Sequence, residues 1–223
     1  MSTILYLTQI QIEPGAIRLL DSECERCGMR RPLVVTDAGV RAAGVLQPTL
    51  DALGGRPHAV FDQTPSNPTE VAVRAAAALY SEQGCDGLIA VGGGSSIDLA
   101  KGVAIAATHP GPLKTYATIE GGSPKISAVV APLIAVPTTA GTGSEVARGA
   151  ILIVEDGRKL GFHSWHLMPK AAICDPDLTL GQHRAGVFAL ADLARVQLLA
   201  LLLEQAAELG DLVGGEVFHA PDL

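Results

Sequence analysis

A chain of 223 residues with 48% hydrophobic and only 17% charged side chains can bury a sizeable core and is too apolar for wholesale disorder. Its net charge of −7 argues against a general nucleic-acid binder, whose affinity rests on Lys and Arg neutralising phosphates. No uncharged apolar run approaches a membrane span, residues 196–203 being far too short. The first residues, MSTILYLTQIQIEPGA, lack the basic start and long apolar centre of a signal peptide, so a cytoplasmic protein with reduced thiols and no membrane partner is expected.

Residues 19–30 form a charged helical stretch. Within it Cys24 and Cys27 have the spacing of a redox or zinc pair. No second Cys or His pair follows at zinc-ribbon spacing, and the pair does not sit at a strand-to-helix turn, so an ordinary helix is the preferred reading. Residues 32–37 read as a buried strand, followed by a helix over 40–53. Residues 58–62 are the next strand. Pro68 then opens a helix through Tyr80, with Asn67 as its cap and Glu70 near its positive end.

A third strand, 87–91, runs straight into Gly92-Gly93-Gly94, and a helix starts at Ser95 or Ser96 and passes Lys101. Further strands fit 133–136, 150–154 and 171–174. Unbroken apolar strands alternating with helices indicate an α/β fold, a Rossmann-like parallel sheet with helices on both faces. After Asp175-Pro176 the texture changes to an Ala- and Leu-rich helix over 184–209. The expected division is an NAD(P)-binding domain over 1–180 and a helical tail over 181–223.

Three constellations carry chemistry. In LIAVGGGSSIDLAK, residues 88–101, glycines let a diphosphate approach the backbone, and the helix that follows offers free N–H groups and its positive end. Ser95 adds a hydroxyl. Asp98 and Lys101, three apart, form an exposed ion pair or leave Asp98 to reach a ligand; spacing alone leaves both open. The second constellation, VPTTAGTGSE over 136–145, crowds Thr138, Thr139, Thr142 and Ser144 after an apolar strand, suited to phosphate, ribose or an amide edge. Two donor-rich loops at the same ends of parallel strands suggest one shared crevice. Third, Asp37 ends the first strand, where a carboxylate accepts from ribose hydroxyls and repels a 2′-phosphate, favouring NAD while leaving NADP open. It is equally placed to cap the next helix.

GGGSSIDLAK, PTTAGTGSE and the later CDPDLT together resemble the iron-containing (group III) alcohol dehydrogenases, within the dehydroquinate synthase-like fold. The blocks occur in family order and cover roughly residues 5–180. The resemblance implies that Asp37, Asn67, Gly93, Gly94, Ser95, Asp98, Thr138, Thr139, Thr142 and Lys159 contact the dinucleotide, with Leu178 flanking the adenosine. Asn67 belongs to a stretch like the family's NPT. Ala147 stands where the family usually has Thr, a departure that touches one cofactor hydrogen bond.

The resemblance also implies Fe2+ or Zn2+, held by an Asp and histidines, polarising an alcohol or carbonyl oxygen during hydride transfer. The family's first ligands follow a pattern like TGxDAxxHAxE. Here Asp192 stands near the expected ligand, but Val196, not His, follows four residues later, and the remaining ligands are absent. His163 and His166 are too closely spaced and in the wrong block to replace them. A truncated chain, a shifted reading frame after Gly181 and a natural short form all fit this ending. The expected function is interconversion of an alcohol with an aldehyde or ketone, impaired in this chain. The alternative is a non-catalytic dinucleotide-binding or oligomerisation module; a homo-oligomer is left open by the apolar stretch 198–203.

Overall fold

Strands covered by helices on both faces have no side to give to water, so they are built from unbroken apolar runs. The structure, a computed structural model, describes residues 8–180 and the backbone of Ser2–Leu5. In chain order it comprises β1 (Ser2–Leu5), β2 (Gln9–Ile12), α1 (Leu20–Arg26), β3 (Pro32–Val35), α2 (Ala38–Ala42), α3 (Leu46–Asp51) and β4 (Ala59–Phe61). There follow α4 (Glu70–Glu82), β5 (Gly87–Gly92), α5 (Gly94–Ala106), β6 (Leu133–Pro137), β7 (Gly149–Ile153), β8 (Lys159–His163) and β9 (Ala171–Cys174). The expected tail helix, the 181–223 segment and Asp192 lie outside the described residues.

Among the described residues, seven strands form one sheet in the order β1-β2-β9-β6-β5-β3-β4, with β1 antiparallel to β2 and the other neighbours parallel. Successive side chains alternate between faces. Leu33, Val35, Leu88, Ala90, Leu133 and Ala135 pack with α4 and α5, whereas Val34, Ile89, Val91, Ile134 and Val136 pack with α1 and α3. Each face therefore has its own core, as the Rossmann-like reading expects.

Four local expectations are corrected. The helix over 40–53 is two short helices, because Gly44 between them adopts φ 75, which cannot continue a right-handed helix. The helix expected from Pro68 starts at Glu70, and its cap is Thr69, whose Oγ1 accepts from Ala72 N at 3.3 Å, not Asn67. The preceding residues are held extended, since Pro68 O accepts from Ile153 N at 2.9 Å and Thr69 bridges to Ile153. The strand expected over 150–154 does not join the main sheet. As β7 it pairs antiparallel with β8 in a separate hairpin packed on α5, with Ala150, Leu152, Leu160 and Phe162 inward and Ile151, Lys159 and His163 outward. Finally β2, absent from the expected strands, pairs in parallel with β9 and carries β1 at the sheet edge.

The close fit of the hairpin on α5 depends on Gly102. A Cβ there would lie 2.8 Å from both Leu152 Cδ1 and Val73 Cγ2, two fully buried side chains. Gly102→Ala is therefore expected to destabilise the domain by about 1–3 kcal/mol through overpacking, despite alanine's better helix propensity. Urea unfolding checks this; unchanged or raised stability would show that the packing relaxes freely.

Candidate functional site

Sequence order and spatial order part company at β3. The chain goes from β3 outward to β4, then crosses back to place β5 on the other side of β3. Connections leave the carboxyl ends of β3 and β5 in opposite directions, and a crevice opens between them. Asp37 follows β3, and Gly93-Gly94-Ser95 follows β5. A cavity of about 410 Å3 lies there, lined by Asp37, Ala38, Gly39, Thr64, Pro65, Ser66, Gly93, Gly94, Ser95 and Thr139.

The glycines make the cavity. Gly92 leaves β5 at φ 145, and a Cβ on it would sit 2.5 Å from Ser96 Oγ. Gly93 is the N-cap of α5 and supplies no side-chain cap, so the first turn of this 13-residue helix has no side-chain lid. The unpaired N–H groups of a helix's first turn carry a partial positive charge, which suits an anion. A Cβ on Gly93 would come within 3.2 Å of Thr139 Oγ1, and one on Gly94 within 3.3 Å of Ser144 Oγ. Side chains of the threonine loop thus rest against the glycine backbone.

Asp37 does both things its position allows. Its Oδ1 accepts from Val40 N at 2.9 Å, capping α2, and its Oδ2 accepts from Ser96 Oγ at 3.3 Å at the cavity wall. Ser95 Oγ donates to Ser66 O at 2.6 Å, joining the α5 start to the loop after β4. Next along that loop, Asn67 Oδ1 accepts from Lys159 Nζ at 3.1 Å, placing the β8 cation beside the cavity's Ser66 side. Thr138 N donates to Gly92 O at 3.0 Å, and Thr142 lies against Gly94.

Two candidates lie elsewhere. Asp98 turns to the hairpin, where its Oδ2 accepts from Ile151 N at 3.0 Å; burial raises its pKa against the opposing pull of that bond and of Lys101. Leu178 is buried in the α1 and α3 core and does not line the cavity. The exposed reading of Lys101 is corrected: it is wholly buried, and its Nζ donates to the carbonyls of Ser144, Ala147 and Gly149. Thr64, Ser66 and Gly39 were not singled out from the sequence, although Thr64 and Ser66 follow β4 just as Asp37 follows β3. Cys24 and Cys27 are free thiols whose pKa burial raises, Cys24 to about 12, which suits neither a reactive nor a metal-binding pair. Among the described residues no three His, Cys, Asp or Glu side chains come together as a metal site, and no helix is long and apolar enough to cross a membrane.

Comparison with known proteins agrees with this architecture. The profile of the iron-containing alcohol dehydrogenases matches residues 8–176. Over 181 residues the chain is 71% identical to a 4-hydroxybutyrate dehydrogenase of Cupriavidus necator, covering 81% of this chain and 47% of that protein. A solved 1,3-propanediol oxidoreductase superposes with a TM-score of 0.74 at 36% identity, over 80% of this chain and 46% of that one. A sulfoacetaldehyde reductase from Bifidobacterium kashiwanohense, solved in complex with NAD+, does so with a TM-score of 0.70 at 30% identity, over 79% and 46%. The chain spans about half the length of the curated relatives it matches.

Because Asp37 caps α2, Asp37→Ala should lower stability by about 1 kcal/mol, whereas Asp37→Asn, an equally good cap, should cost little. Urea midpoints of the two variants decide this; equal losses would mean that the charge on Asp37, not its capping bond, matters to the fold.

Proposed function

The chain belongs to the iron-containing alcohol dehydrogenase family, and from that premise we propose that residues 8–180 form its NAD site, serving interconversion of an alcohol with an aldehyde. What supports this most is the convergence of Asp37, Gly93, Gly94, Ser95 and Thr139 on one cavity at the strand reversal. NAD, when bound, supplies the carbon that accepts or returns a hydride. The chain's own residues bind and orient it. Asp37 accepts from ribose hydroxyls, and its charge opposes a 2′-phosphate, so NAD is preferred to NADP. Gly93 and Gly94 admit the diphosphate to the α5 start, where the helix dipole and first-turn N–H groups offset its charge. Ser95, Thr138, Thr139 and Thr142 add hydroxyls or amides around it. Lys159, steered by Asn67, supplies a positive charge.

The 71% identical relative is named for 4-hydroxybutyrate, so a short ω-hydroxy acid and its semialdehyde are the proposed substrate pair. The metal implied by the family finds no three-ligand set among the described residues. Asp192 is the proposed family ligand, but with Val196 four residues later in place of His, turnover by this chain is proposed to be low.

Calorimetric titration of the 223-residue chain should show NAD binding. Gly93→Val, which fills the space facing Thr139, should weaken it at least tenfold, or about 1.4 kcal/mol. Absence of any dinucleotide binding would overturn the reading. Replacing Asp37 by Ser, which keeps a capping oxygen but removes the charge, should shift the ratio of affinities toward NADP. An unchanged ratio would remove Asp37 from cofactor choice. Assay with 4-hydroxybutyrate, before and after addition of Fe2+ or Zn2+, tests the low turnover.

A further inference from the structure

We propose that Lys101 is the positioning residue of this dinucleotide site: its buried ammonium holds residues 144–149, and with them the Thr138 to Glu145 loop and the β7 hairpin, against α5. The inference rests on the dinucleotide reading above and adds a residue outside the cavity to it. The Nζ atom lies 2.7, 2.7 and 2.8 Å from the carbonyl oxygens of Ser144, Ala147 and Gly149. An ammonium has three N–H donors, and here each finds one acceptor. All three belong to the stretch joining the threonine loop to β7, so one side chain sets where that stretch lies over the helix. Charge-assisted bonds of this length are the strong kind.

A solvent-free ammonium is costly to keep and is retained only where its donors are satisfied and opposite charge is near. Lys101 is wholly buried. The carboxylates facing it are Asp98 on its own helix and Glu145 in the loop. Asp98 also accepts from Ile151 N, so the same cluster grips the hairpin at a second point. The tether reaches the cavity through Ser144 and Thr142, which lie against Gly94, and through Thr139, which lines it. Releasing the stretch would let the wall opposite the α5 start move away.

Burial brings the lysine's pKa down to about 8, against the pull of Asp98 and Glu145. A neutral amine has two N–H donors for three carbonyls, so the tether should loosen as pH rises past that value. The unfolded chain titrates this lysine near its ordinary 10.5. Between the two values the unfolded state therefore holds more protons, and this group's contribution to global stability rises with pH. Loosening in that window is local and is not the onset of unfolding. Burial, with Glu145 opposite it, holds the Cys174 thiol up to about 12 and keeps it out of the window.

The test uses the full chain labelled with 13C methyl groups. In the wild type without NAD, the methyl signals of Thr142, Ala147 and Ile151 should shift between pH 6.5 and 10 with a midpoint near 8. NAD affinity should fall several-fold over the same range. Lys101→Met, of similar reach but without donors, should abolish the midpoint and bind NAD at least tenfold more weakly at pH 7. Lys101→Arg, charged throughout, should show no midpoint and recover part of the affinity. Methyl signals that do not titrate below pH 10, or a Met variant that binds NAD as the wild type does, would overturn the proposal. If the Met variant does not fold, the wild-type methyl titration decides alone. A midpoint near 8 in a chain that binds no dinucleotide would uphold the tether and overturn the NAD reading.

Discussion

At Gly92 the chain leaves β5 with φ 145, and the space where a side chain would stand is taken by Ser96 and, at 3.4 Å, by Asp37 Oδ2. This close approach of three segments organises the cleft. With no Cβ in the way, α5 begins directly above the strand end, and Ser96 Oγ can reach the carboxylate that caps α2. Gly92 O meanwhile accepts from Thr138 N, which brings the threonine loop alongside. One vacant position thus joins the ends of β3, β5 and β6. The order of strands puts the chain reversal between β3 and β5, and the glycine lets that reversal be narrow.

A second layer of organisation is electrostatic and lies beneath the cleft. Lys101 and Glu145 are buried between α5, the threonine loop and the hairpin, with the half-buried Asp98 at their margin. Their contacts go mainly to backbone: Asp98 to the amide of Ile151, Lys101 to three carbonyls. Residues 138–149 contain no long helix or strand of their own, so buried side chains substitute for the ladder that regular structure would supply. The glycine motif and the threonine motif are therefore coupled through the interior as well as across the crevice.

The main sheet was legible because β3, β5 and β6 are unbroken apolar runs, and the crevice because two glycine- and hydroxyl-rich loops follow two of them. Elsewhere local pattern was a weaker guide. Residues 149–153 alternate inward and outward, the mark of a one-faced hairpin, but Ile151 on the solvent side made the run look buried on both faces. Asn67-Pro68-Thr69 offers two capping residues, and contact with Ile153 across the fold chooses Thr69. Spacing left an exposed Asp98–Lys101 pair open because it reads only neighbours in the chain; the acceptors of Lys101 come from 43 to 48 residues away and leave no local trace. Thr64 and Ser66 become visible only once β4 is known to lie beside β3.

The sheet's order has a further consequence for how the chain is made. Strand β9 sits between β2 and β6, although it emerges from synthesis about 160 residues after β2, and Asp175 just beyond it accepts from the amides of Gly15 and Ile17. Until residues 171–175 are available, the β1–β2 pair has no neighbour in the main sheet and β6 presents an open edge. A growing chain can assemble β3 to β6 with their helices, while β1 and β2 wait for β9. The closure is long-range and costly in chain entropy, so it should come late. A chain halted before residue 171 would therefore expose the inner strand beside the threonine loop, β6, as an unpaired edge.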